Sequence, residues 1–222
     1  MLSYAGRVAA PRPQPIAVRV GGFGGVAGLA RHLRDQRVTH LVDATHPFAA
    51  RISANAVAAA ALAGVAHLAL TRPPWLPGAG DRWIAAADLD AAVAALAGPA
   101  RRVMLALGRM HVAAFAAHPQ HHYLLRFVDA PDRPPCLPRH HLLVDRGPFD
   151  PEGERRLMLA HGIDLVVSKN AGGTAAAAKL VAARDLGLPV LMIARPVMPP
   201  RQEVHRAADV LDWIDRHADR GV

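Results

Sequence analysis

Val38-Thr39-His40-Leu41-Val42-Asp43-Ala44-Thr45-His46-Pro47-Phe48-Ala49-Ala50-Arg51 is the stretch whose reading decides the fold. The apolar run from Val38 to Val42 suits a buried strand. Pro47 suits the first position of a helix, because its fixed φ is helical and its missing N–H is no loss there. A strand therefore hands over to a helix within a few residues. In an open parallel sheet such turns line the crevice beyond the carboxyl ends of the strands, where free N–H groups and helix N-termini bind anions. Thr45, His46 and Arg51 belong at or near that crevice, and Arg51 and Asn55, four apart on the predicted helix from Ala49 to Ala63, share a face.

The same alternation extends in both directions. Upstream, Leu2 to Arg7 reads as a strand end running into a turn, an abrupt way for a domain to begin. Ile16 to Val20 is a strand that ends in Gly21-Gly22-Phe23-Gly24-Gly25, followed by the helical pattern Val26, Leu29, Ala30, Leu33. Four glycines around one phenylalanine let a flat ligand or a phosphate approach the main chain, and they serve equally well as a tight turn with no ligand. Downstream, Val65 to Leu70 is a strand, and Trp83-Ile84 leads to a helix with Leu89, Val93 and Leu96 on one stripe. Gly98-Pro99 closes that helix and is the expected domain boundary, giving an N-terminal α/β nucleotide-binding domain over 1–98 and a C-terminal α/β domain over 99–222, with the last helix packing back on the first.

Strands are expected in the second domain at Val103 to Leu107, Tyr123 to Val128, His141 to Val144, Ile163 to Val167 and Pro189 to Ala194. Between them fall a short helix from His111 to Ala117, a proline-rich loop from Asp129 to Pro138, and a helix from Pro151 to His161. Strand Ile163 to Val167 feeds Ser168-Lys169-Asn170-Ala171-Gly172-Gly173-Thr174 and a helix to Leu186. A lysine and two glycines between a buried strand and a helix make an anion site, although the Walker order is absent. The whole pattern predicts two side-by-side, Rossmann-like α/β domains with parallel sheets and a ligand cleft between them.

Composition narrows the partners. The chain has 222 residues, 52% of them hydrophobic and 5% aromatic, with a formal net charge of +8 carried almost wholly by arginine. The charge is scattered, without a basic arm or a nucleic-acid module, so small anions suit it better than nucleic acid. No apolar run is long enough to span a membrane and no signal pattern opens the chain, so a cytoplasmic protein is expected. The single Cys136 sits in the proline-rich loop as a spare thiol. Thirteen histidines occur without a metal-binding spacing, so no metal is expected.

Read together, several pieces resemble the precorrin-6A reductase family of cobalamin biosynthesis: Ser3-Tyr4-Ala5-Gly6-Arg7, the glycine turn at Gly21, Asp43-Ala44-Thr45-His46-Pro47-Phe48-Ala49, Gly108-Arg109, Gly147-Pro148-Phe149, Lys169-Asn170-Ala171-Gly172-Gly173 and Arg195-Pro196. They come in the family's order and cover essentially the whole chain. Two departures stand out. The family's first strand, Gly-Gly-Thr turn and helix are missing ahead of Met1, and Ala171 stands where serine is expected.

The resemblance implies hydride transfer from a reduced nicotinamide, with uptake of a proton, across a carbon–carbon double bond of precorrin-6A or its cobalt form, giving precorrin-6B. It assigns cofactor contact to Arg7, Gly21, Gly22, Phe23, Gly24, Gly25, Thr45, His46, Lys169, Asn170, Gly172 and Gly173. Arg7 follows what would be the second strand, where an arginine favours the 2′-phosphate, hence NADPH with NADH as the alternative. The substrate carries many carboxylates, so Arg51, Arg109, Arg126 and Arg195 are its candidate partners, each matched by a reading as plain surface arginine. His46 is the candidate proton donor, against which stand its readings as a cap or phosphate ligand and proton uptake by the substrate's own nitrogens. Neighbouring corrin-pathway enzymes are expected partners by substrate hand-over. Impaired or non-catalytic binding of nucleotide or tetrapyrrole, and a dehydrogenase of another anionic substrate, are the competing functions.

Overall fold

The computed structural model describes residues 1–5 and 13–218. In chain order the elements are β1 (Leu2–Tyr4), β2 (Val18–Val20), α1 (Gly25–Asp35), β3 (His40–Asp43), α2 (Ala50–Ala63), β4 (Ala66–Leu70), β5 (Arg82–Ala86), α3 (Leu89–Ala94) and β6 (Arg102–Ala106). They continue with α4 (Arg109–Val112), a 3₁₀ turn (Ala113–Ala117), β7 (His122–Phe127), β8 (His140–Val144), α5 (Pro151–Ala160), β9 (Leu165–Lys169), α6 (Ala178–Asp185), β10 (Pro189–Ile193), β11 (Glu203–Val204) and α7 (Ala207–Ala218). Two compact units result: Met1–Thr71 with Val197–Val222, and Arg72–Pro196.

The first unit carries two parallel sheets, β1–β2 and β11–β4–β3. Helices α1 and α2 pack on each other through Leu29, Ala30 and Leu33 against Ala56 and Ala59. Alanine on α2 lets the two backbones come close. The returning chain supplies β11 beside β4, and α7 covers the sheet by setting Val210 and Trp213 on Leu68.

The second unit is built on one six-stranded parallel sheet in the order β5-β10-β9-β6-β7-β8. A parallel sheet is covered on both faces, so its central strands are apolar throughout rather than alternating. Val103, Met104 and Leu105 of β6, Leu165, Val166 and Val167 of β9, and Val190 to Ile193 of β10 are all buried. After β6 the chain winds outward through β7 and β8, then returns to place β9 on the other side of β6. The winding therefore reverses between β6 and β9, and loops leaving those two strands open the crevice where such sheets take ligands.

Three expectations need correcting. The boundary lies at residues 71/72, not at Gly98, because Arg82–Ala86 is a strand that adds to the second unit's sheet beside β10, with Arg82 opposite Pro189. Its partner is far along the chain, and nothing local to Trp83-Ile84 reveals it. Pro47 is not the first helical residue: it sits inside a turn closed by Ala49 N–H on the His46 carbonyl at 2.7 Å, and α2 starts at Ala50. Helix α6 begins at Ala178, after a turn at residues 174–177, rather than at Thr174. Among the described residues no helix is long and apolar enough to cross a membrane.

Candidate functional site

The corner that follows β3 is organised by a buried carboxylate. Asp43 Oδ1 accepts the Thr45 N–H at 3.0 Å, while Oδ2 accepts from the Arg201 guanidinium at 3.1 Å. Arg201 is nearly buried and also reaches Glu203 at 2.8 Å, so β11 is tied to β3 through this arginine. The Thr45 hydroxyl is 3.0 Å from the buried Ser53 hydroxyl of α2. His46 Nδ1 accepts the Phe48 N–H at 3.2 Å, which places the ring's proton on Nε2 and makes it a donor. The sequence marks Thr45 and His46; it gives no sign of Arg201, which lies on a distant segment.

After β2, the glycine turn is clasped by Arg19. Its guanidinium donates to the carbonyls of Gly21 at 2.5 Å and Gly22 at 2.7 Å and lies 3.9 Å above the Phe23 ring. Gly24 caps α1 in the left-handed region at φ 81°, and the helix has neither a side-chain cap nor an acidic residue in its first turn. A Cβ built at Gly21, Gly22, Gly24 or Gly25 meets nothing within 4 Å among the described residues. These glycines leave open space over the main chain at a helix N-terminus, which is what an anionic ligand needs.

The glycines of the second loop have a different reason. A Cβ on Gly172 would lie 2.0 Å from the Pro73 carbonyl oxygen, and one on Gly173 would lie 2.6 Å from Arg72 Cδ. Asn170 Oδ1 accepts the Trp75 N–H at 2.8 Å and its Nδ2 donates to the Trp75 carbonyl at 2.9 Å. The Trp75 indole in turn donates to the Gly173 carbonyl at 2.9 Å. Arg195 donates to the carbonyls of Asn170 at 2.8 Å and Ala171 at 3.2 Å. Internal packing thus accounts for the residue types at Asn170, Gly172, Gly173 and Arg195.

Lys169 ends β9 at the reversal of the winding. Its Nζ lies 3.1 Å from Nδ1 and 3.3 Å from Nε2 of His111, which stands on α4 after β6. An ammonium and an imidazole therefore meet across the crevice of the second unit. His111 escapes sequence reading, since one histidine among thirteen carries no mark of its neighbour.

Arg126, on β7, donates two parallel hydrogen bonds to Glu154 of α5, at 2.5 and 2.7 Å, and its guanidinium lies 4.0 Å from the Phe149 ring. Beside it, Lys179 lines a cavity of about 210 Å³. Burial pushes the Lys179 ammonium down to about 8; Glu154 opposes that shift, and Arg126 and Arg72 add to it. Arg51 and Arg109 are exposed on the first turns of α2 and α4. Arg7 lies outside the described residues. Among the described residues no three His, Cys, Asp or Glu side chains gather as a metal ion would need.

Parallel sheets with helices alternating between their strands define a protein of the Rossmann-like α/β class. Comparison with known proteins places it more narrowly. The profile of the precorrin-6x reductase CbiJ/CobK family matches residues 1–215, and the chain belongs to that family. It is 52% identical over 224 residues to a precorrin-6A reductase of Rhodobacter capsulatus, covering 100% of this chain and 89% of that protein. It is 44% identical over 210 residues to one of Mycobacterium tuberculosis, covering 93% and 85%. A cobalt-precorrin-6A reductase of Priestia megaterium is 28% identical over 174 residues, covering 74% and 68%. A solved structure of CobK precorrin-6A reductase superposes with a TM-score of 0.92 at 53% identity, covering 97% of this chain and 86% of that one. The chain is accordingly an oxidoreductase of cobalamin biosynthesis, and a nicotinamide cofactor belongs with that activity.

Proposed function

We propose that this chain reduces metal-free precorrin-6A to precorrin-6B with NADPH as hydride donor. The open face of the turn at residues 21–25 is the observation that carries the nucleotide part. Four glycines whose missing side chains would meet nothing among the described residues leave a ligand free to lie on the main chain, and the uncapped N-terminus of α1 favours a phosphate. The residues present therefore fit a dinucleotide. Thr45 N–H is spent on Asp43, and we assign His46, held at this corner by the Phe48 N–H on its Nδ1, to binding. We prefer NADPH over NADH on the sequence alone, in which an arginine, Arg7, comes shortly after the segment 2–4.

A reduced nicotinamide, when bound, supplies the hydride. What this chain must add is orientation and a proton. We assign proton supply to the contact of Lys169 Nζ with His111 Nδ1, 3.1 Å apart at the carboxyl edge of the second sheet, and read Arg109, exposed on the first turn of α4, as a partner for a carboxylate of the ring. The relatives support the cobalt-free reading: those named precorrin-6A reductase reach 52% identity, against 28% for one named for the cobalt form.

The test is a fluorescence titration with NADPH and NADH, followed by loss of the nicotinamide absorbance near about 340 nm on adding precorrin-6A or its cobalt complex. NADPH oxidation with the metal-free ring, and a product heavier by two hydrogens, is expected. Tight nucleotide binding with no reduction of either ring would replace the reductase reading with a binding protein.

A further inference from the structure

We propose that the cavity of the second unit is a seat for a single carboxylate group, with Lys179 as its counter-ion. The cavity lies at the carboxyl ends of β6 and β7 and is lined by Ala106, Phe127, Phe149, Arg126, Glu154 and Lys179. Its volume, about 210 Å³, is below the range of roughly 300–1,000 Å³ that holds a whole ligand of drug size. A macrocycle or a dinucleotide does not fit; an acetate or propionate arm does.

The charges around it leave one vacancy of the right sign. Glu154 is matched by Arg126 through two parallel bonds, and Phe149 stacks on that guanidinium, so the pair is neutral and complete. Lys179 is different. One N–H goes to the Ala176 carbonyl at 2.6 Å, and the ammonium lies 4.8 Å from the Trp75 ring centre, yet no carboxylate pairs with it among the described residues. Arg126 and Arg72 repel it, Glu154 attracts it from within its own ion pair, and Asp145 stands at the exposed rim. A half-buried cation with no carboxylate paired to it among the described residues is costly, and an incoming carboxylate would remove that cost.

The residue type supports the same conclusion. Of 26 basic residues only Lys169 and Lys179 are lysines. An ammonium in an apolar cavity can release its proton while the seat is empty and regain it when an anion enters, which a guanidinium cannot do. The carboxylate has two sources, an arm of the ring or a free small acid. In the first case the inference rests on the reductase reading; in the second it does not.

Having only two lysines makes the test direct. The full-length protein labelled with ¹³C-lysine yields two sets of side-chain signals, assigned with Lys179→Arg. The Lys179 titration midpoint should rise by about one unit or more with saturating propionate but not with chloride at the same ionic strength, or else with NADPH and precorrin-6A together. A rise with propionate identifies a seat open to free acids; a rise only with the ring identifies an arm of the substrate. In the second case Lys179→Met should raise the KM for precorrin-6A roughly tenfold or more and leave that for NADPH unchanged. A midpoint unmoved by both, in protein that still oxidises NADPH, overturns the seat alone. A midpoint moved by propionate in protein that never oxidises NADPH overturns the reductase reading alone.

Discussion

Asn170 closes two hydrogen bonds on the main chain of Trp75, accepting its N–H at 2.8 Å and donating to its carbonyl at 2.9 Å. A residue in a glycine loop thereby fixes a segment that lies far from it in sequence. Asn170→Ala would leave two backbone groups unpaired and should cost about 2–4 kcal/mol. Urea unfolding followed by tryptophan emission measures this. NADPH affinity in the folded variant should fall less than tenfold, because the asparagine's polar atoms are already engaged.

The two glycine turns should respond in opposite ways. Gly172→Ala puts a Cβ 2.0 Å from the Pro73 carbonyl at φ 69°, a clash with backbone, and should lower stability by about 3 kcal/mol or more. Gly24→Ala meets nothing among the described residues and carries the strain of φ 81°, about 1 kcal/mol. It should nonetheless weaken NADPH binding at least tenfold by crowding the ligand face. Thermal unfolding and nucleotide titration on both variants check the contrast.

The Arg126–Glu154 pair has side-chain exposures of only 11% and 3%. Removing one partner strands the other, so Glu154→Ala should cost about 3–5 kcal/mol. Replacing both together, Arg126→Met with Glu154→Leu, should recover most of that loss. A double-mutant cycle in urea tests the prediction, and equal losses for the single and double variants would contradict it.

Stability should rise with pH in two windows. Burial depresses Lys179 from 10.5 to about 8, so between these values the unfolded chain binds the proton that the folded chain has released, and unfolding becomes harder as pH rises. Lys179→Met should abolish the rise and stabilise the protein near neutrality by about 2 kcal/mol. His67 is also lowered from 6.5, chiefly by burial, with Asp43 opposing and Arg201 assisting. Its penalty is absent above 6.5 and grows as the pH falls below that value, because the unfolded chain is protonated first. Calorimetric unfolding between pH 5 and 10.5 reads both windows.

Much of the architecture was legible without coordinates. The apolar runs of β6, β7, β9 and β10 and the glycine turn before α1 all form where their residues indicate. Gly64 ends α2 in the left-handed region, at φ 67°. These are local properties, set by hydrophobic pattern, backbone freedom and the missing donor of proline, and a short window of sequence contains them.

Partnership is what the chain's order conceals. Which sheet Arg82–Ala86 would join, that Glu203–Val204 would return to β4, that Arg201 would hold Asp43, and that Lys169 would meet His111 were all settled by packing between segments far apart. The sequence by itself determined that strands and helices alternate, that glycine turns follow the strands, and which family the chain resembles. Only the tertiary structure decided that one glycine loop meets no described residue and the other its own backbone, because glycine permits both and the choice depends on what lies against the missing Cβ.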